Sequence, residues 1–200
     1  MDHGTTIATL HRLFGPETTQ ELLEAFNTAF WITGLGPNTT HRSLLAGIRQ
    51  AGPVRNVFIR NPPADANPYA RICFFEREAA ERFYVSARAG NFVVDGVVPQ
   101  VEWDLVHPTL SERAAGRSRI LRIRGSPEIV NRRFLEAFWA PYMVWNIDWV
   151  TDVGEISPGT NCIWYRFGSW ESEAEIARER LLEEFSPWVL VEYVTDPCAE

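Results

Sequence analysis

The chain contains no lysine. All 19 of its basic side chains are arginine, set against 26 acids for a formal net charge of -7. That balance excludes a strongly basic protein that coats nucleic acid through bulk charge, and it leaves room for a local basic surface. An all-arginine complement fits the codon bias of a GC-rich genome; arginine also stacks on planar rings and forks onto phosphate. Only three cysteines occur (Cys73, Cys162 and Cys198), with no CxxC pair and no even-numbered framework, as expected of a reduced, intracellular protein. His3, His11, His41 and His107 lack metal-site spacing, so no metal is expected. The longest apolar stretch, around Ala137 to Trp145, is too short to span a bilayer, and MDHGTTIATLHRLFG lacks the basic start and apolar run of a signal peptide. Gly-rich phosphate loops, HExxH and GxSxG are all missing. The expectation is a soluble, non-enzymatic protein with no catalytic residues, no small-molecule cofactor and no membrane partner.

What is present is an apolar content of 46% and eight tryptophans, enough for one larger core or two small ones. Residues 1–27 read as a helical extension: Ile7, Leu10 and Phe14 have helical spacing, and Gly15-Pro16 breaks the run. Thr18 or Thr19 can then cap a second helix carrying Leu22, Leu23 and Phe26. From residue 28 the order becomes strand (AFWITGLG), helix with Leu44, Leu45 and Ile48 inward, and strand (PVRNVFIRN). The proline-rich loop NPPADANP leads to strand YARICFF, a helix burying Ala79, Ala80 and Phe83, and a last strand after an Asp95-Gly96 turn. Residues 107–117 are polar and short, a linker. The same six elements then recur over residues 118–197: strand SRILRIRG, a helix opened by Ser126-Pro127-Glu128, and strand MVWNIDWVTDV with Trp145, Ile147 and Trp149 alternating. The loop ISPGTN, strand CIWYRF, a helix opened by a Ser172–Glu175 capping box, and strand WVLVEYV complete the copy.

Two stretches of the first copy narrow the reading. Phe30-Trp31-Ile32-Thr33-Gly34-Leu35 resembles the hexamer motif on the first strand of RNA recognition motif (RRM) domains. Asn67-Pro68-Tyr69-Ala70-Arg71-Ile72-Cys73-Phe74 resembles their third-strand octamer, and Asp95 to Trp103 looks like their turn and fourth strand. The resemblance implies an α/β (α+β) chain of two ferredoxin-like βαββαβ domains, at 28–106 and 118–197. Each would be a four-stranded antiparallel sheet, the nucleotide-binding α/β plait, with two helices on one face. It also implies single-stranded RNA as partner and a nuclear or cytoplasmic location.

Side chains alternate across a strand, so Phe30, Ile32, Ala70, Ile72 and Phe74 should face the helices. Trp31, Thr33, Phe58, Arg60, Tyr69 and Arg71 would then share the open face, where aromatics and arginine suit unpaired bases and phosphate. The octamer departs from the family pattern, with Asn67-Pro68 in place of a basic residue and glycine, and Arg71 at a position normally aromatic. The second copy departs further. Arg122 stands where the stacking aromatic belongs, and its face would carry Arg122, Arg124, Cys162, Trp164 and Arg166. Six of the eight tryptophans lie in this half. A degenerate RRM used for protein contact or for packing on its neighbour is therefore the reading, with its glutamate-rich last helix a solvated face. The alternative is a protein-interaction module of two RRM folds that have lost RNA binding. Two relatives of the fold fit less well. Gly34-Leu35-Gly36-Pro37-Asn38 lacks the arginine of a phosphatase loop, and Arg88-Ala89-Gly90-Asn91-Phe92 lacks the spacing of the helix-side peptide-binding variant.

Overall fold

The computed structural model describes residues 3–61 and 67–200, with side chains from residue 9 onward. The side chain of Ile7 and residues 62–66 of the proline-rich loop therefore lie outside what is described. Helices α1 (His3–Phe14) and α2 (Pro16–Phe26) precede β1 (Ala29–Thr33), α3 (His41–Ala46), β2 (Val54–Arg60), β3 (Tyr69–Phe74), α4 (Arg77–Arg88) and β4 (Gln100–Trp103). The second unit runs β5 (Ile120–Gly125), α5 (Arg132–Trp139), β6 (Ile147–Ser157), β7 (Thr160–Phe167), α6 (Glu175–Phe185) and β8 (Val189–Tyr193). The antiparallel sheets have orders β2-β3-β1-β4 and β6-β7-β5-β8, the same path twice. This is the α+β, doubled βαββαβ fold expected from the order of elements.

Alternation along the central strands builds each core. Phe30, Ile32, Ala70, Ile72 and Phe74 are all fully buried, and Phe30 meets Phe74, Phe83 and Trp103 ring to ring. Burying each such ring is worth roughly 1.5–3 kcal/mol. Leu44, Leu45, Ala79, Ala80 and Phe83 close the core from the helices, joined by Ile48 just past the end of α3. Thr40 and Ser43 form a reciprocal cap on α3. Asp95 and Gly96 both take positive φ, 51° and 81°, in the tight turn between Val94 and Val97. In the second unit Ile163, Tyr165 and Phe167 are buried beside Trp139.

Several local expectations shift. α2 begins at Pro16 with Gly15 as its cap, and Thr19 bonds back to the Gly15 carbonyl from inside the helix. Leu23 is buried, but Phe14 and Phe26 are half exposed, so the arm packs through a narrower stripe than its periodicity suggests. Ser126-Pro127-Glu128 opens a turn; α5 starts later, capped by Asn131, whose side chain accepts from the Phe134 amide. Strand β6 carries a bulge between Ile147 and Trp149, which turns Trp149 onto the open face opposite Arg166. ISPGTN is mostly strand, a tight hairpin tip at Pro158-Gly159. Cys162 is buried despite its outward register. Ser169, not Ser172, supplies the cap, and it caps the π-helical turn that runs into α6. That turn, Trp170–Ala174, lets Glu173 reach back to the amides of Gly168 and Ser169. Glu173 is thus 3% exposed rather than part of a solvated face, and burial pushes its carboxyl above the usual range despite those bonds.

The two units are fused along a seam. The free edge of β2 meets the segment after β7: the Val57 amide donates to the Gly168 carbonyl at 2.9 Å, and Ser169 Oγ bonds Asn56 Oδ1 at 2.6 Å. His41 packs on Gly168 so closely that a Cβ there would lie 2.9 Å from the imidazole. Beyond β8 the tail crosses back. Cys198 joins the first core, its carbonyl accepts from the amides of Ala51 and Gly52, and Asp196 accepts from the Val54 amide. Arg119, 1% exposed, donates twice to Asp196, once to Asp148 and once to the Phe167 carbonyl. Burial opposes its charge, yet Asp196 and Asp148 raise its pKa overall. Phe75, from the first unit, is buried in the second core beside Trp170.

Candidate nucleic-acid interface

Strand register places the expected first-unit residues on one face. One cross-strand row reads Phe58, Arg71, Trp31 and Glu102; Arg60 and Tyr69 pair in the next row, where Thr33 opposes Gln100. Trp31 and Tyr69 are half-buried and touch edge to face, with ring centroids 5.6 Å apart. Phe58 is 49% exposed, with the Arg60 guanidinium 5.7 Å from its ring centroid. Thr33 and Arg60 are exposed, and Arg60 has no ion pair among the described residues.

Arg71 is arranged differently. Its Nε donates to the fully buried Asp104 at 2.6 Å, and its other nitrogens reach the His107 carbonyl, Thr109 Oγ1 and Cys73 Sγ. The linker therefore lies across one end of this face and occupies Arg71. Burial pushes the Cys73 thiol pKa up, leaving that sulfur a neutral contact for Thr109. Asp104 was open to sequence reasoning: it follows Glu102 by two residues, so period-2 alternation puts both acids on the face of Trp31 and Arg71.

On the second sheet the corresponding row reads Thr151, Trp164, Arg122 and Glu192. Arg122 and Arg124 both donate to Glu192 Oε2, at 3.0 and 2.7 Å. Desolvation pushes the Glu192 carboxyl up, and the hydrogen bonds and charges of Arg124 and Arg122 together outweigh it and hold the carboxyl below its usual range. The Arg122 guanidinium also lies 6.0 Å from the Trp164 ring. Arg166 and Trp149 stand apart at the β6 side, next to the first unit. Sequence reasoning missed Glu192 as the partner of both arginines, although its alternation with Val189 and Val191 marks it as outward. No signal along the chain indicated the seam residues. Among the described residues no three or more His, Cys, Asp or Glu side chains gather as a metal site, and no helix is long and apolar enough to cross a membrane.

No protein-family model matches the chain, and no curated protein matches its sequence. Among solved structures it is similar to an Sxl-lethal protein/RNA complex at 18% identity, covering 84% of this chain and 99% of that one with a TM-score of 0.32. It is similar to RNA recognition domains 1 and 2 of Sex-lethal from Drosophila melanogaster at 17% identity, with coverages of 84% and 100% and a TM-score of 0.32. The first two RRM domains of a yeast poly(U) binding protein give 10% identity, coverages of 83% and 98%, and a TM-score of 0.34. The fold itself is given by the strand order of the two sheets, each a ferredoxin-like βαββαβ arrangement.

Proposed function

We propose that the chain is a non-enzymatic, single-stranded RNA-binding protein that uses the open face of its first sheet. Bases stack on Trp31, Tyr69 and Phe58; Arg60 contacts phosphate or a ring edge, and Thr33 lines the path. Arg71 holds the linker and thereby shapes one end of the face. The second unit packs against the first and fixes its β2 edge; its central arginines are neutralised by Glu192. The observation that carries this reading is the contact between Trp31 and Tyr69 beside an exposed Phe58 on one sheet face. Base stacking on such rings contributes roughly 1–3 kcal/mol per base.

The test is tryptophan fluorescence during titration with short mixed-sequence single-stranded RNA, at low and moderate salt. The comparison is between the native chain and Trp31→Ala with Tyr69→Ala. Saturable quenching that weakens with salt is expected, with a loss of about thirtyfold or more in the variant for two stacks. Failure of the native chain to bind any such RNA at low salt would overturn the reading. A second reading, a protein-interaction module, is favoured by Trp188, Leu190 and Ile156, which are 63%, 49% and 46% exposed around one groove at the far end of the second sheet. That outcome would leave it standing.

A further inference from the structure

The seam between the units encloses a cleft that the sheet-face reading does not use. Its volume is about 380 Å³, and its walls come from both halves of the chain: Arg42 and Arg49 from the α3 side, Trp149 and Arg166 from the open face of the second sheet. Arg119 and Asp148 form its floor, where Arg119 is already satisfied by Asp196 and Asp148. The other three arginines are not. Arg42, Arg49 and Arg166 make no ion pair with any described residue. Arg49 donates only to the adjacent Ile48 carbonyl, and Arg166 Nε is buried with no hydrogen-bond partner among the described residues. Against them stands Glu200 on the rim, placed by a bond from the Gln50 amide to its carbonyl.

Three unpaired cations gathered in one concavity repel one another, the more so as the local dielectric falls. A chain with net charge of -7 has acids enough to cancel them, as Glu192 does on the same sheet. Here it does not. The Arg42 guanidinium lies 3.8 Å from the centroid of Trp149, whose side chain stays 41% exposed. A guanidinium held over an indole keeps its N–H donors in its own plane above the ring, free to fork onto an anion, and leaves part of the indole surface for a flat ring. From this charge, this ring and this volume we infer that the cleft binds the phosphate group of a nucleotide. Arg42, Arg49 and Arg166 take the phosphate oxygens, and Trp149 lies against the base.

The phosphate belongs either to a free nucleotide or to an RNA strand, and one set of titrations separates the two. Calorimetric titration of the full chain at low salt would use AMP, inorganic pyrophosphate, adenosine and a 5′-hydroxyl single-stranded RNA. The chains are native, Arg42→Gln with Arg49→Gln, and Trp31→Ala with Tyr69→Ala. Both cleft positions are exposed, so the double substitution removes charge without opening a core; Arg166→Gln serves as a third, independent lesion. For a free nucleotide, AMP and pyrophosphate bind saturably and adenosine does not. Affinity then falls about tenfold or more in the cleft variants, while the sheet-face variant still binds AMP. For a strand phosphate, AMP binds weakly, and the cleft variants lower RNA affinity and flatten its salt dependence by about one to two phosphate contacts. The inference is overturned if neither AMP nor pyrophosphate binds the native chain and the cleft variants leave RNA affinity unchanged. Loss of RNA binding in the sheet-face variant alone bears on the first sheet and leaves this result to stand separately.

Discussion

The central rows of the two sheet faces hold the same three residue types in a different order. In the first unit tryptophan stands on β1 and arginine on β3; in the second, arginine stands on β5 and tryptophan on β7. Both rows end in a glutamate on the outer strand, Glu102 opposite Trp31 and Glu192 opposite Arg122. Adjacent strands lie about 4.8 Å apart, so an arginine next to the glutamate strand reaches it and one a strand further away does not. Arg122 therefore pairs with Glu192, and Arg124 joins it. Arg71 turns instead to Asp104 and the linker, and Trp31 is left without a charged clasp. One exchange of position separates a face whose central charge is spent from one whose aromatic surface is free.

The largest effect expected from testing this contrast comes at its foundation. Arg119 ties the seam to the returning tail, and Arg119→Leu would leave the fully buried Asp196 and the 10%-exposed Asp148 without their cation. We expect a loss of about 3–5 kcal/mol in denaturant unfolding, because an orphaned buried charge costs that much. An unchanged midpoint would mean that the seam does not hold the pair together. Next comes the clasp. Glu192→Gln frees Arg122 and Arg124 and should raise RNA affinity several-fold at low salt, steepening the salt dependence by about one contact or more. If affinity stays constant, the silence of the second face has a cause other than Glu192.

The smallest effect concerns the seam beside the first unit. Burial lowers the His41 pKa below 6.5, opposed by its bond to the Val57 backbone and by Asp148 and joined by Arg119. The folded chain therefore binds fewer protons there than the unfolded chain. Its contribution is full above pH 6.5 and declines as pH falls through 6.5 toward the lower native value. Glu173, with its raised pKa, works in the opposite sense: stability falls as pH rises through its window above 4.5. Comparing thermal midpoints of the native chain and His41→Gln at about pH 7.5 and about pH 5.5 isolates the histidine. The native chain should lose more on acidification than the variant.

Much of this was legible along the chain. Alternating apolar positions in FWITGL and YARICFF placed Trp31, Thr33, Tyr69 and Arg71 on one face, and the doubled order of elements specified both sheets. Turn chemistry was legible at Asp95-Gly96 and misleading at Ser126-Pro127, where a competing turn delays the helix to Asn131. The bulge that reverses Trp149 is set by pairing with β7 and leaves no mark in its own strand.

The boundary between the two kinds of information is physical. Period-2 alternation, glycine and proline punctuation and local capping act within a few residues, so residue order alone determined the order of elements, the doubled fold and the facing of the first unit's central strands. Charge pairing, the seam and the cleft depend on which strands become neighbours and where the tail returns. Val54 meets Asp196, Arg119 bridges Asp148 and Asp196, and Arg42 reaches Trp149. Only tertiary structure decided those, because they join residues far apart in sequence through contacts that exist once both sheets have formed.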